Sequence, residues 1–522
     1  MSSTLFINAR VWQPDGKFTE SFGVYNGHFD FSGSNSEANK LRDNYTEIKD
    51  LKGKLVLPGL IDGHLHLVNG ALMMKRLDCS RINSVSELKD AIRDYIKTNK
   101  VKWVIGGNLD LNRIFAVHSK QNGNVINEVC SELPLYITNY DYHSAICNTK
   151  ALELAGINHK AYNFPKDEAE MSATGNLTGF ISESVMYMVY AAIPPPSLDE
   201  KVNAVCDCIK MLHSFGITSV SDITLPEDID VYIELWKQNK LNLRINSYIP
   251  FTEFENLQYY KDKTSLISKD YYTISGFKAF WDGALGSETA LFSENYRGSS
   301  TNGFRTETVR SGSIYELAKE IDEAGMQMMI HAIGDKAVKE VIELYAGLPN
   351  TKKLRHRIEH AQHIQTEDYE KFAKYGILAS VQPVHLKYDA HTVFEKLRAK
   401  LIPNTHNYIH IIPFGGMLNF GTDFPIVEAD PFENIRLATT RITNNGEFTP
   451  EHKIPLYDCL KAYTINNAYS NHNERAIGSI TKGKVADFVV MDDDLTEMDK
   501  QNIGNAKVHE TYISGVEVYS MI

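Results

Sequence analysis

Residues 57–66 read Leu57-Pro58-Gly59-Leu60-Ile61-Asp62-Gly63-His64-Leu65-His66. The run is short, largely apolar and opened by Pro and Gly, which is the character of a strand buried on both faces rather than of a helix. His64 and His66 stand two residues apart. Side chains repeat every second residue on a strand, so both imidazoles project from one face and can hold one ion together. An H-x-H pair alone is a weak signal, but a buried pair without a partner would be costly.

Outward from this run the same grammar recurs at 216–220, 243–246, 276–280, 328–331, 357–360, 377–381 and 418–423. Longer amphipathic stretches such as 84–98 and 313–324 alternate with these runs. Eight short apolar strands separated by helices predict an α/β protein, a (β/α)8 TIM barrel whose chemistry sits at the C-terminal ends of the strands. The interval from Leu67 to roughly Phe215 is too long for one strand-to-helix connection. Residues 67–215 are therefore expected to contain an insertion over the barrel mouth, with strands near Trp103-Val104-Ile105 and Leu135-Tyr136-Ile137-Thr138. Both chain ends look β-rich: Phe22-Gly23-Val24-Tyr25, Phe29-Asp30-Phe31 and Asp487-Phe488-Val489-Val490-Met491 read as strands, and 509–519 as a hairpin turning at Ser514-Gly515. The expected division is a small β-sandwich domain from 1–57 and 470–522, with the barrel at 58–469.

Composition narrows the class. Of 522 residues, 43% are hydrophobic and 23% charged, which is globular and excludes both disorder and a small cross-linked scaffold. Lys and Arg number 54 against 66 Asp and Glu, a net charge of -12 that repels phosphate backbones, so no nucleic-acid partner is expected. The six cysteines, at 79, 130, 147, 206, 208 and 459, show no C-x-x-C spacing and suit a reducing compartment. Cys206 and Cys208 fall on a helical stretch where i,i+2 residues face different ways, which argues against a shared metal. No segment reaches the roughly 18 uncharged residues of a membrane helix, and Asn8 and Arg10 interrupt the N-terminal apolar stretch. The expectation is a cytoplasmic protein with no membrane partner.

The rim of the predicted barrel carries the chemistry. His331 ends one apolar run, His360 the next, and Asp423 the last. A buried carboxylate needs a cation or several donors, and neutral imidazoles supply no charge, so a metal is its natural partner. His64, His66, His331, His360 and Asp423 together suit zinc or a similar borderline ion rather than magnesium or calcium. Lys278 lies within the run 276–280, where neighbouring cations and burial would lower its pKa. A neutral lysine can take up CO₂ to give a carbamate that bridges two metals. The competing reading is a lysine reaching for the rim, or paired with Asp282 or Asp423.

These motifs resemble the amidohydrolase superfamily of metal-dependent hydrolases. The resemblance rests on Pro58 to His66, the strand-four lysine, the strands ending at His331 and His360, and Gly421-Thr422-Asp423. Its YtcJ-like branch is the nearer likeness, through the stretches 278–287, His331-Ala332-Ile333-Gly334-Asp335, Arg357 to Gln362 and Gly421 to Pro425. Segments 478–480 and 483–490 resemble the strands that close the family's small β domain. The likeness implies metal held by His64, His66, His331, His360 and Asp423, with a carboxylated Lys278 as bridge. Glu183 stands where this branch often has a Glu, so it is an alternative ligand, and His143 in Tyr142 to Asn148 is a substrate-binding candidate.

On that reading one or two zinc ions activate water, and Asp423 acts as general base and passes the proton to the leaving nitrogen. His360 or His143 stabilises the oxyanion. The expected activity is hydrolysis of a non-peptide C–N bond, of amide, N-acyl or N-formyl type, in a small-molecule substrate. Within enzymes the alternative is a mononuclear zinc deaminase, with His360 polarising the water and Lys278 a bystander. A non-catalytic scaffold protein is the third reading; such relatives usually lose ligands, and all five positions are filled here. No G-x-S-x-G elbow supports a serine nucleophile. Dimerisation is common among similar enzymes, which makes a homodimer one assembly to test.

Overall fold

The computed structural model describes residues 3–99, 101–115, 126–139, 144–157, 165, 168–172 and 175–521. It divides into two compact units, Met1–Gly70 with Val205–Ile522, and Ala71–Ala204.

The first unit is built on eight parallel strands, β1 (Leu60–Leu65), β2 (Ile217–Ile223), β3 (Arg244–Pro250), β4 (Tyr272–Phe280), β5 (Gln327–Ala332), β6 (Arg357–His360), β7 (Leu378–Val381) and β8 (Met417–Phe420), paired in that order. Each coincides with one of the expected runs. They read as apolar runs because both faces are covered: every residue of β1, β5, β6 and β7 is buried. The circle closes through the residues just past β8, where Asp423 N donates to His64 O at 2.7 Å and His66 N to Phe424 O at 2.8 Å. A side chain at Gly421 would bring its Cβ to 2.4 Å from His64 N, so this close approach needs glycine. The last expected run continued to Asp423, whereas β8 ends at Phe420. Asp423 has φ +65°, which turns the chain out of the ladder and puts its carboxylate in the barrel mouth rather than on a strand.

Helices cover the outside with apolar stripes at helical spacing. Asp335–Ala346 buries Ala337, Val338, Val341, Ile342 and Tyr345, and Ser313–Glu323 buries Ile314, Ala318 and Ile321. Pro431–Thr440 starts where Asp430 accepts from Phe432 N and Glu433 N, with proline in the first helical position.

The chain ends supply two more sheets to this unit. Ser3–Ile7, Ser21–Tyr25, His28–Gly33 and Glu47–Asp50 form one of four strands. Arg10–Trp12, Phe18–Thr19, Leu55–Pro58, Phe488–Met491, Val508–Ile513 and Val516–Ser520 form one of six, the last two strands joined by the turn at Ser514-Gly515. Their shared core is aromatic: the Phe488 ring stacks on Tyr512 at 4.3 Å and meets Phe22 edge-on at 4.9 Å and Phe6 at 5.1 Å. Phe488→Ala should therefore cost about 3–5 kcal/mol of stability, read as a lowered urea midpoint. Arg244 on β3 joins these sheets to the barrel through Asp487, at 2.6 and 2.9 Å.

The second unit has a mixed six-stranded sheet, ordered Ala169–Met171, Leu177–Ser182, Ser144–Cys147, Leu135–Asn139, Val104–Leu109 and Leu77–Asp78. Alternation along Leu135–Asn139 divides its cores. Leu135 and Ile137 pack with Leu88 and Ile92 of the helix Val85–Asn99, and Tyr136 packs with Val185 and Val189 of the helix Glu183–Ala191. Among the described residues no cysteine forms a disulfide; Cys208 is buried and Cys206 half-buried. Among the described residues no helix is long and apolar enough to cross a membrane.

Candidate metal and catalytic site

The end of β1 meets the ends of β6 and β8 at a buried cluster. Ligand atoms of His64, His360 and Asp423 all lie within 4.8 Å of one another. His66 joins this group through Asp423: its Nε2 and that of His64 each stand 3.4 Å from Asp423 Oδ1. His331 is adjacent, its ring centre 4.5 Å from that of His360, but its Nε2 bonds to Gly283 O at 3.1 Å. Lys278 projects into the same interior from β4. Glu183 lies in the second unit, exposed, as the first residue of the helix Glu183–Ala191. His143 falls outside the described residues.

Local structure explains how these side chains are held. His360 and Asp423 adopt φ +70° and +65°, conformations costly for residues with a Cβ, and such strain gathers at functional sites. Asp62, two residues before His64, accepts from His64 N at 3.0 Å, Thr422 N at 3.1 Å and Thr422 Oγ1 at 2.6 Å, tying β1 to the turn that carries Asp423. Burial pushes the Asp62 carboxyl up to about 6. Asp222 on β2 fixes the turn after His66, accepting from Leu67 N at 2.7 Å and the Tyr232 hydroxyl at 2.6 Å. Asp282 accepts from Leu291, Ile333 and Gly334 N–H groups at 2.8–3.0 Å, which organises the loops flanking His331.

Beneath the cluster is a charged chain that apolar patterning did not reveal. His64 Nδ1 donates to Glu359 Oε2, and Arg357 Nε donates to Glu359 Oε1 at 2.9 Å, all three side chains being buried. Arg357 also reaches Ser380 Oγ at 2.8 Å. Burial works to raise the Glu359 pKa, but the charges of Arg357 and His64 outweigh it and hold the carboxyl down at about 2. The signal was present in the sequence: Arg357 and Glu359 are two apart on an otherwise apolar strand, so they share one face. His385 and Gln382, which also face the site, lie on the loop after β7 and left no periodic trace.

The donor set fits a cation. A carboxylate accepts only, so the His64 proton sits on Nδ1 and the Nε2 lone pair faces the Asp423 carboxylate at 3.4 Å. Two electron-rich atoms so placed call for a positive charge between them. Burial lowers the His64 pKa, yet Glu359 and Asp423 on either side leave it raised overall. His360 repeats the pattern, its Nδ1 bonding to Gln382 Oε1 at 2.7 Å and leaving Nε2 as a lone pair. The Lys278 Nζ is buried with no hydrogen-bond partner among the described residues, and burial pulls its pKa down to about 8 against the attraction of Glu359 and Asp423. A lysine so placed is easily neutral.

Imidazoles and a carboxylate converging at the C-terminal rim of a parallel barrel define the class of metal-dependent barrel hydrolases. The chain belongs to the amidohydrolase family, whose profile matches residues 47–519. It is 28% identical to Protein LONG AFTER FAR-RED 3 of Arabidopsis thaliana, over 99% of this chain and 92% of that protein. Putative amidohydrolase YtcJ of Bacillus subtilis (strain 168) is 26% identical over 97% of both chains. The N-substituted formamide deformylase of Arthrobacter pascens is 24% identical over 99% of this chain and 98% of that one. In fold the chain matches a metal-dependent hydrolase from Pyrococcus horikoshii OT3 with a TM-score of 0.79, at 23% identity, over 96% of this chain and 99% of that one.

Proposed function

We propose that this protein hydrolyses a non-peptide carbon–nitrogen bond, of amide, N-acyl or N-formyl type, in a small molecule. The observation that carries the reading is the buried pair of lone-pair imidazoles, His64 and His360, turned toward the Asp423 carboxylate. His64, His66, His331, His360 and Asp423 would hold zinc or a similar ion, and Lys278, carboxylated, would provide the anionic bridge to a second; Glu183 is the alternative carboxylate. When bound, such an ion supplies Lewis acidity that acidifies water and polarises a carbonyl. Asp423 accepts the proton of the attacking water and delivers it to the departing nitrogen. Glu359 keeps His64 in the tautomer that turns Nε2 inward. The similarity to an N-substituted formamide deformylase supports the choice of a C–N bond. The cysteines, none of which forms a disulfide among the described residues, suit a reducing, cytoplasmic setting.

Metal content tests this reading. Protein purified without added metal, analysed for elements, should hold two equivalents per chain. Lys278→Ala should lose one, and stripped wild type should regain both only with bicarbonate present. One equivalent that ignores Lys278 would favour a single ion or Glu183 as ligand, and a protein that binds none would end the metalloenzyme reading.

A further inference from the structure

His385 follows β7 in the stretch Gln382-Pro383-Val384-His385, and the single turn Pro383–His385 brings its ring beside Asp423. The residue is 9% exposed and its Nε2 lies 3.7 Å from Asp423 Oδ2. The ring stacks near that of His360, with centres 6.0 Å apart and planes 20° from parallel.

On its other side the Gln362 carboxamide Nε2 lies 3.3 Å from His385 Nδ1. An amide NH₂ only donates, so Nδ1 is the acceptor and the proton of the neutral ring sits on Nε2. That Nε2 is buried and has no hydrogen-bond partner among the described residues; 3.7 Å to Asp423 is too long for one. Buried donors are rarely left without an acceptor, and those that are call for an explanation.

The neighbouring imidazoles have the opposite polarity. His64 spends its N–H on Glu359, His360 spends its N–H on Gln382, and His331 spends its N–H on Gly283 O. The Gln382 orientation is itself fixed, because its amide nitrogen also faces the Ser380 carbonyl at 3.4 Å. His385 alone of these four turns its lone pair outward and its N–H toward Asp423.

We propose that His385 is a catalytic residue that donates from Nε2–H to the substrate's carbonyl oxygen and holds the oxyanion of the tetrahedral intermediate. This rests on the C–N hydrolysis reading above. The water oxygen bonds to the carbonyl carbon, the carbonyl π pair moves onto its oxygen, and that oxygen accepts the His385 hydrogen bond while Asp423 takes the water proton. When the C–N bond breaks, the pair returns to the carbonyl and the nitrogen leaves with the proton from Asp423. His385 keeps its own proton throughout, unlike the base beside it.

The test uses metal-loaded full-length protein with three variants. His385→Ala deletes the ring, His385→Phe keeps its volume without the donor, and His385→Gln restores an N–H near the Nε2 position. Turnover of formanilide and acetanilide, calorimetric binding of methylphosphonate as an oxyanion mimic, and metal per chain are measured for each. The Ala and Phe variants should lose about 10²–10³-fold in kcat with little change in KM, and bind methylphosphonate at least about tenfold more weakly. Metal content should be unchanged, and the Gln variant should recover most of both losses. Unaltered kcat and phosphonate affinity in Ala and Phe would overturn the proposal, as would a fall in metal content, which would make His385 a ligand. If neither anilide is cleaved, the C–N reading fails separately, and the phosphonate series still decides His385.

Discussion

Asp423→Asn should lower kcat by about 10³-fold or more, since on the proposed function Asp423 would be both the general base and an anionic ligand. Burial works to raise the Asp423 pKa, but the imidazoles of His64, His66 and His360 that face it outweigh burial and keep the carboxyl well below its ordinary range. The group is therefore ionised at any working pH and able to accept the water proton. Asparagine keeps the shape, and it tolerates the positive φ of this position better than most residues, so the loss should not come from strain. The thermal midpoint should move little while metal per chain falls. Activity within tenfold of wild type on a cleaved anilide would remove Asp423 from the base role.

Glu359→Gln should cost about 3–5 kcal/mol of folding stability, because it leaves the Arg357 guanidinium buried without its counter-charge. It should also weaken metal binding about 10–100-fold, since a neutral amide no longer fixes the His64 tautomer as a carboxylate does. The pH dependence carries a definite sign. Glu359 drops from an ordinary 4.5 to about 2 on folding, so its contribution is fully present above about 4.5 and is lost as pH falls toward 2. Urea unfolding at pH 7, 4.5 and 3 should show the wild type losing its advantage over the variant on the acid side. Replacing both Arg357 and Glu359 by apolar residues of similar size should recover much of the stability without recovering metal affinity. A single Gln variant as stable as wild type would show that the charged chain does not support the barrel.

The eight barrel strands were legible because parallel strands covered on both faces must be apolar throughout, and that leaves runs such as Leu60–Leu65 and Gln327–Ala332 visible without any partner in view. Turn chemistry made the Ser514-Gly515 hairpin equally plain. The grouping of His64, His66, His360 and Asp423 followed from one rule, that inward side chains at strand ends meet at one rim. The rule also placed His331 there, where its ring lies beside His360; that its Nε2 is the nitrogen turned to Gly283 O is a choice made by the loop after β4 that strand periodicity does not encode. The reach of β8 was overestimated because the conformation of Asp423 depends on its contacts with β1.

Sequence alone thus determined the barrel, the terminal sheets and which residue types crowd the rim, since each of these is a local pattern of burial or spacing. Tertiary structure decided where the protons are. The His64 tautomer depends on Glu359, 295 residues away, and the His385 tautomer on Gln362, which follows the neighbouring strand β6. A histidine becomes an acceptor or a donor toward its site according to what its other nitrogen touches, and that contact exists only once the chain has closed.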